Sequence, residues 1–142
     1  MDPLERFKDN PSGIITDTLN NRHWLPKDSK QDLGRWQSWH DISGYVRIMN
    51  QVYAGGHNDW RLPTLEEAQS LYGEAYVHTD FEGQEIHIHS AFVRGCAYLM
   101  WTSDVNESGQ TARLNLREGV VDYVDKDTSD LMAARLVRKI RE

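Results

Sequence analysis

In residues 111–117 apolar and polar side chains alternate without a break, with Ala112, Leu114 and Leu116 on one side and Arg113, Asn115 and Arg117 on the other. Successive side chains of an extended chain point to opposite faces, so this run is expected to be a strand with one face toward a core and one toward solvent. Glu118-Gly119 reads as a two-residue hairpin turn, and residues 120–124 as the returning strand. Residues 98–103 form an aromatic-rich strand and 134–140 a last one. The second half of the chain is therefore mostly antiparallel sheet. Residues 84–90 add another alternation, with Ile86 and Ile88 opposite Glu85, His87 and His89.

The first half reads differently. A short strand over 13–18, a turn at Asn20-Asn21 and a partner at His23-Trp24-Leu25 form a hairpin, ended by Pro26. Residues 26–34 are polar and read as loop. Trp36, Trp39, Ser43, Val46, Met49 and Tyr53 then recur at spacings of three and four, which places them on one helix face. Gly55-Gly56 stops that helix. Thr64 and Glu67 have the spacing of a capping box, so a second, short helix opens at Thr64 and runs to Gly73. Hairpin, two helices in succession and then several antiparallel strands make an α+β pattern, in which two helices pack on a twisted antiparallel sheet. A chain of 142 residues holds one such domain, spanning 1–142.

Charge narrows the partners. Lys plus Arg number 16 and Asp plus Glu 22, a net charge of −6. An acidic chain is a poor general binder of nucleic acid or anionic lipid, since both reward clustered positive charge. The single cysteine, Cys96, permits no internal disulfide. Residues 1–10 are mostly charged, unlike a signal peptide, and no run is long enough to span a membrane. The chain as written is expected to be cytoplasmic, or extracellular if an export signal has been removed.

The segment Gly55-Gly56-His57-Asn58-Asp59-Trp60-Arg61-Leu62-Pro63-Thr64, following a helix that begins with tryptophan, resembles the signature of the Lcl C-terminal domain family. That family is called after a collagen-like bacterial adhesin. Thr16-Asp17-Thr18-Leu19 with Trp24, Trp101-Thr102-Ser103 and Arg135-Leu136-Val137-Arg138 extend the resemblance over nearly the whole chain. It implies a C-type-lectin-like fold and a binding module, the adhesin being a binder of sulfated glycans. The same run is also similar to one in the formylglycine-generating enzymes. Those enzymes hold copper with a pair of cysteines, which a chain with Cys96 alone does not supply. Related iron-dependent sulfoxide synthases take histidine ligands from a helical domain that has no counterpart here. Within the motif, Trp60 and Leu62 suit a packed junction between the two helices and the sheet, and Asp59 and Arg61 suit pairing or backbone capping there.

Three constellations could carry other chemistry. His87 and His89, with Glu85 beside them and His78, Asp80 and Glu82 just before, offer imidazole and carboxylate to a late first-row metal but lack an assured third ligand. Asp122, Asp125, Asp127 and Asp130 could supply oxygens to calcium, although their spacing is not that of an EF-hand. Cys96 follows Arg94-Gly95, but a lone cysteine ahead of an aromatic strand fits a small core residue better than a nucleophile. The leading expectation is thus a non-catalytic recognition module without cofactor or metal. Its ligand would be a glycan or an acidic or polar partner, bound on the face of the C-terminal strands by Trp101, Asp104, Asn106, Arg113, Asn115 and Arg117. Arg113 and Arg117 would make that face locally positive and suited to planar anions. The alternatives are an assembly protein that docks on another protein, with oligomers included, and a metal-dependent enzyme at the histidine strand.

Overall fold

The computed structural model describes residues 3–141, so residues 1, 2 and 142 of the expected domain lie outside the described ones. Strands β1 (Phe7–Asp9), β2 (Ile15–Asp17) and β3 (Arg22–Trp24) form a meander, and β10 (Val137–Lys139) adds to it beside β3, giving the order β1-β2-β3-β10. A second sheet has the order β8-β7-β6-β9, from β6 (Leu99–Val105), β7 (Thr111–Asn115), β8 (Val121–Val124) and β9 (Met132–Ala133). Its pairs are antiparallel except β6 with β9, which run parallel. Between the sheets in sequence come α1 (Ser29–Leu33), α2 (Trp39–Gln51), α3 (Leu65–Gln69) and the two-stranded ribbon of β4 (His78–Thr79) and β5 (Glu85–Ile86).

The α+β class therefore holds, with several elements placed differently from expectation. β1 has no counterpart in the sequence reading. The loop expected over 26–34 contains α1, whose cap Asp28 accepts from the Gln31 N–H while the Gln31 side chain accepts from the Asp28 N–H. α2 starts at Trp39, capped by Ser38, and buries Ile42 and Tyr45, so its face is turned relative to the expected stripe, and Ser43 and Tyr53 are exposed. The 84–90 strand survives only as Glu85–Ile86. The turn at Glu118-Gly119 is a wider loop closed by the Asn115–Val120 hydrogen bond, with Gly119 at φ 74°. The strand expected over 134–140 is confined to β10, because the chain crosses over residues 134–136 from β9 in one sheet to β10 in the other.

The main core lies between the sheets. Ile15, Trp24 and Val137 from one side meet Met100, Leu114 and Leu116 from the other, with Ile86, Ile88, Phe92 and Cys96 between. α2 covers the opposite face of the second sheet, where Ile42 packs with Leu99, Trp101 and Met132. β6 is thus buried on both faces along its first half.

The segment 55–64 ties α2 to the first sheet. Gly55 has φ 61°, and a Cβ there would lie 2.2 Å from Ile14 Cγ2, so only glycine fits. Trp60 packs with Ile14, Leu25, Tyr45 and Leu136. It sits at the junction of α2 with the first sheet, and α3 takes no part in that cluster. Thr64 and Glu67 form the expected capping box, and Glu67 also receives both ends of the Arg61 fork at 2.6 and 2.8 Å. Burial pushes the Glu67 carboxyl up, but Arg61, the Thr64 N–H and Arg22 outweigh it and hold it down at about 2.

A histidine stands at the same junction. Arg138 donates to Asp59 (2.5 and 3.3 Å), and its other nitrogen lies 2.7 Å from His23 Nδ1. His57 stands 5.2 Å from the His23 ring. Burial, Arg138 and His57 all lower the His23 pKa, against a smaller opposing pull from Asp59. The folded state therefore favours neutral imidazole. The resulting stability is complete above the unfolded value of about 6.5 and is lost as pH falls through it. Urea unfolding midpoints are expected to drop between about pH 7 and pH 5, and a His23→Gln variant should flatten that part of the profile. An unchanged slope in the variant would remove His23 as the cause.

Candidate functional site

The six residues expected on the C-terminal face do not share one role. Trp101 is fully buried, and its indole N–H donates to the Gln37 carbonyl at 3.0 Å. It stands opposite Arg113 in the β6–β7 register, but α2 covers it while leaving Arg113 at the rim. Trp101 is a core residue and is not part of an exposed face. The expectation failed because a helix distant in sequence closes the outer face of β6. Asp104 is exposed and accepts from the Leu65 N–H at 3.0 Å, at the start of α3. Asn106 caps its own turn, its Oδ1 accepting from the Ser108 and Gln110 N–H groups. Asn115 does the same for Arg117 and Glu118.

The two arginines are engaged rather than free. Arg113 forks onto Asp122 at 2.8 and 3.0 Å. Arg117 donates to the buried Asp80 at 2.7 Å and to Glu82 at 2.9 Å. The expected locally positive face is thus neutralised by acids from β8 and from the β4–β5 turn.

Arg117 nonetheless marks a surface feature assembled from distant segments. Its guanidinium lies 3.7 Å from the centre of the Tyr98 ring. Phe81 stacks parallel to Tyr98 at 6.4 Å, and Trp36 meets Phe81 edge-on at 4.9 Å. Lys30 stands 5.1 Å from the Trp36 ring. All three aromatic residues are half-buried. Asp80 fixes the strip from below, one carboxylate oxygen taking Arg117 and the other accepting from the Glu82 and Gln84 N–H groups. Trp36, Tyr98 and Arg117 fall in segments that the sequence marks, but Phe81 carries no such signal and no periodicity links positions drawn from separate segments.

The other constellations resolve into scaffold. His78 Nε2 lies 2.6 Å from the Phe92 carbonyl, His87 Nδ1 2.9 Å from that of Tyr76 and His89 Nε2 2.8 Å from that of Leu4. His89 is buried, so the three histidines do not form one exposed face. Asp122 holds Arg113, Asp127 lies 3.6 Å from His40, and Asp125 and Asp130 are exposed. Among the described residues no three His, Cys, Asp or Glu side chains are grouped to hold a metal ion. Cys96 is fully buried, and burial pushes its thiol up to about 11, which disfavours the thiolate a nucleophile needs. No described helix is long and apolar enough to cross a membrane.

These features define an α+β domain with two small sheets bridged by its C-terminal segment and a half-exposed aromatic strip beside them. The chain belongs to the Lcl C-terminal domain family, whose model matches residues 13–138. No curated protein matches it.

Proposed function

We propose that this domain is a non-catalytic recognition module of the C-type-lectin-like kind and that it binds a glycan on the Trp36–Phe81–Tyr98 strip. The aromatic strip carries the reading. Flat rings offer apolar faces to the C–H side of a sugar, and Arg117 and Glu82 beside them offer a charged donor and a carboxylate to its hydroxyls. The ion pairs that neutralise Arg117 also fix its position, so little order remains to be lost on binding. Membership of an adhesin-derived family supports the same reading.

An assembly role is the second reading, favoured by one observation. A cleft of about 360 Å³ between α2 and the 61–62 segment is lined by Trp39, Ile42, Val46 and Leu62, and its apolar lining suits another protein's side chains.

Binding to an immobilised glycan panel tests the first reading. Phe81→Ala removes the middle of the strip and should weaken the best panel ligand by about tenfold or more, a usual loss for a central aromatic contact. Thermal stability should change little, because Phe81 is half-buried. A folded Phe81→Ala protein that binds as the parent does would exclude the strip. A panel without any ligand, beside a stable protein complex sensitive to Leu62→Asp, would favour assembly.

A further inference from the structure

The positive charges that the scaffold does not use point to a second site. Among the described residues, the arginine side chains that no hydrogen bond, ion pair or ring contact engages are those of Arg35, Arg47 and Arg94. Two of them, Arg35 and Arg47, line one cleft of about 410 Å³ between the 35–37 segment and α2. Asp41 lines the same cleft and pairs with neither. Trp36 and Gln37 line it too, together with Leu33, Tyr45 and Ile48. Gln37 is 5% exposed, and its side-chain oxygen is buried without a partner. Gly44 forms part of the floor, where an added Cβ would find nothing nearer than Arg47 Nη2 at 3.9 Å.

Each part of this cleft asks for a complement. Two guanidiniums left unpaired around one space present planar, forked donors to a planar anion. A carboxylate on the same wall that does not neutralise them is free to accept from a hydroxyl or ammonium group. The glycine keeps the space open in the middle of a helix, where almost any other residue would be more favourable. The cleft is large enough for a ligand of one sugar or one amino-acid residue.

We infer that this cleft binds a small ligand with a carboxylate and an adjacent hydrogen-bond donor, the carboxylate held by Arg35 and Arg47 and the donor by Asp41. Sugar acids and free amino acids share that chemistry. The inference does not rest on glycan binding at the strip, although Trp36 borders both places.

The test is a titration of isotope-labelled protein with sodium glucuronate, glucose and leucine, following the Gln37 and Asp41 amide signals. Glucuronate or leucine is expected to move both signals to saturation, and which of them does so names the source of the carboxylate. Glucose should leave both unmoved. Arg35→Ala with Arg47→Ala should raise the dissociation constant at least tenfold. Gly44→Leu keeps every charge, fills the floor and should weaken binding equally while raising the melting temperature. Phe81→Ala should titrate as the parent does, which separates this site from the strip. The inference is overturned if neither carboxylate shifts these amides at up to about 50 mM, far weaker than a millimolar complex. It is overturned equally if glucose binds as well, or if the double arginine variant or Gly44→Leu, each folded, keeps the parent affinity.

Discussion

Trp60→Ala is expected to destabilise the domain by about 3–5 kcal/mol, the usual range for emptying a core aromatic site. The indole is 2% exposed and fills the space between Tyr45 of α2 and Ile14, Leu25 and Leu136. Its N–H donates to the Ala54 carbonyl at 2.8 Å, within the glycine turn that ends the helical region. Asn50 on α2 clamps the Trp60 backbone, accepting from its N–H at 2.7 Å and donating to its carbonyl at 2.9 Å. Alanine keeps that clamp, so the loss is one of volume and of the indole hydrogen bond. The surrounding groups come from four separate segments and collapse poorly into the gap. Trp60→Phe should cost less, because it restores most of the volume and forfeits chiefly the hydrogen bond. Urea unfolding with an unchanged slope measures both. A loss below about 1 kcal/mol for alanine would place the weight of the motif elsewhere.

Asp17→Ala should cost a similar amount, about 3–5 kcal/mol, for an electrostatic reason. Asp17 is fully buried and takes the Arg6 fork at 2.9 and 2.8 Å. It also accepts from the Leu19 and Asn20 N–H groups and from the Asn20 side chain, closing the turn between β2 and β3. Alanine leaves the buried Arg6 guanidinium with the Ser70 carbonyl at 2.8 Å and the Tyr76 hydroxyl as partners, but without its counter-charge. Burial pushes the Asp17 carboxyl up, but Arg6 and Asn20 pull it below the usual carboxylate value. Its contribution is therefore present above about pH 4 and is lost as pH falls further. Asp17→Asn should lose that acid sensitivity. Replacing Arg6 and Asp17 together with apolar residues should cost less than Asp17→Ala alone. If the double change costs as much as both single changes added, the buried pair is not the source of the effect.

What the sequence disclosed was what short-range chemistry decides. Thr64 and Glu67 announced their helix because a capping box is written in four consecutive residues. The alternation at 111–115 was visible because β7 has one wet rim and one dry face. Asp28 and Gln31 carry the same kind of signature, yet α1 passed as loop because five residues show no periodic face. Trp101 was misplaced because its cover, Ile42 of α2, is remote in sequence, and nothing local distinguishes a strand buried once from a strand buried twice. The aromatic strip and the two-arginine cleft stayed hidden for the same reason. Each is assembled from segments that meet only when the chain has folded.

The crossing of residues 134–136 from one sheet to the other has a consequence for synthesis. His23 and Arg138 face each other in adjacent strands although they lie 115 residues apart. β9 completes the second sheet only a few residues before β10 completes the first. A ribosome that has made everything up to β8 has therefore finished neither sheet, and Trp24 of β3 and Met100 of β6 each still lack one of the strands that flank them. At about 5–20 residues per second the nascent chain waits for seconds with those surfaces unprotected. Closure then comes in one late step, slowed by the long loop it must draw shut. A chain truncated before residue 132 lacks β9 and β10, and is expected to be cut rapidly in limited proteolysis where the parent resists.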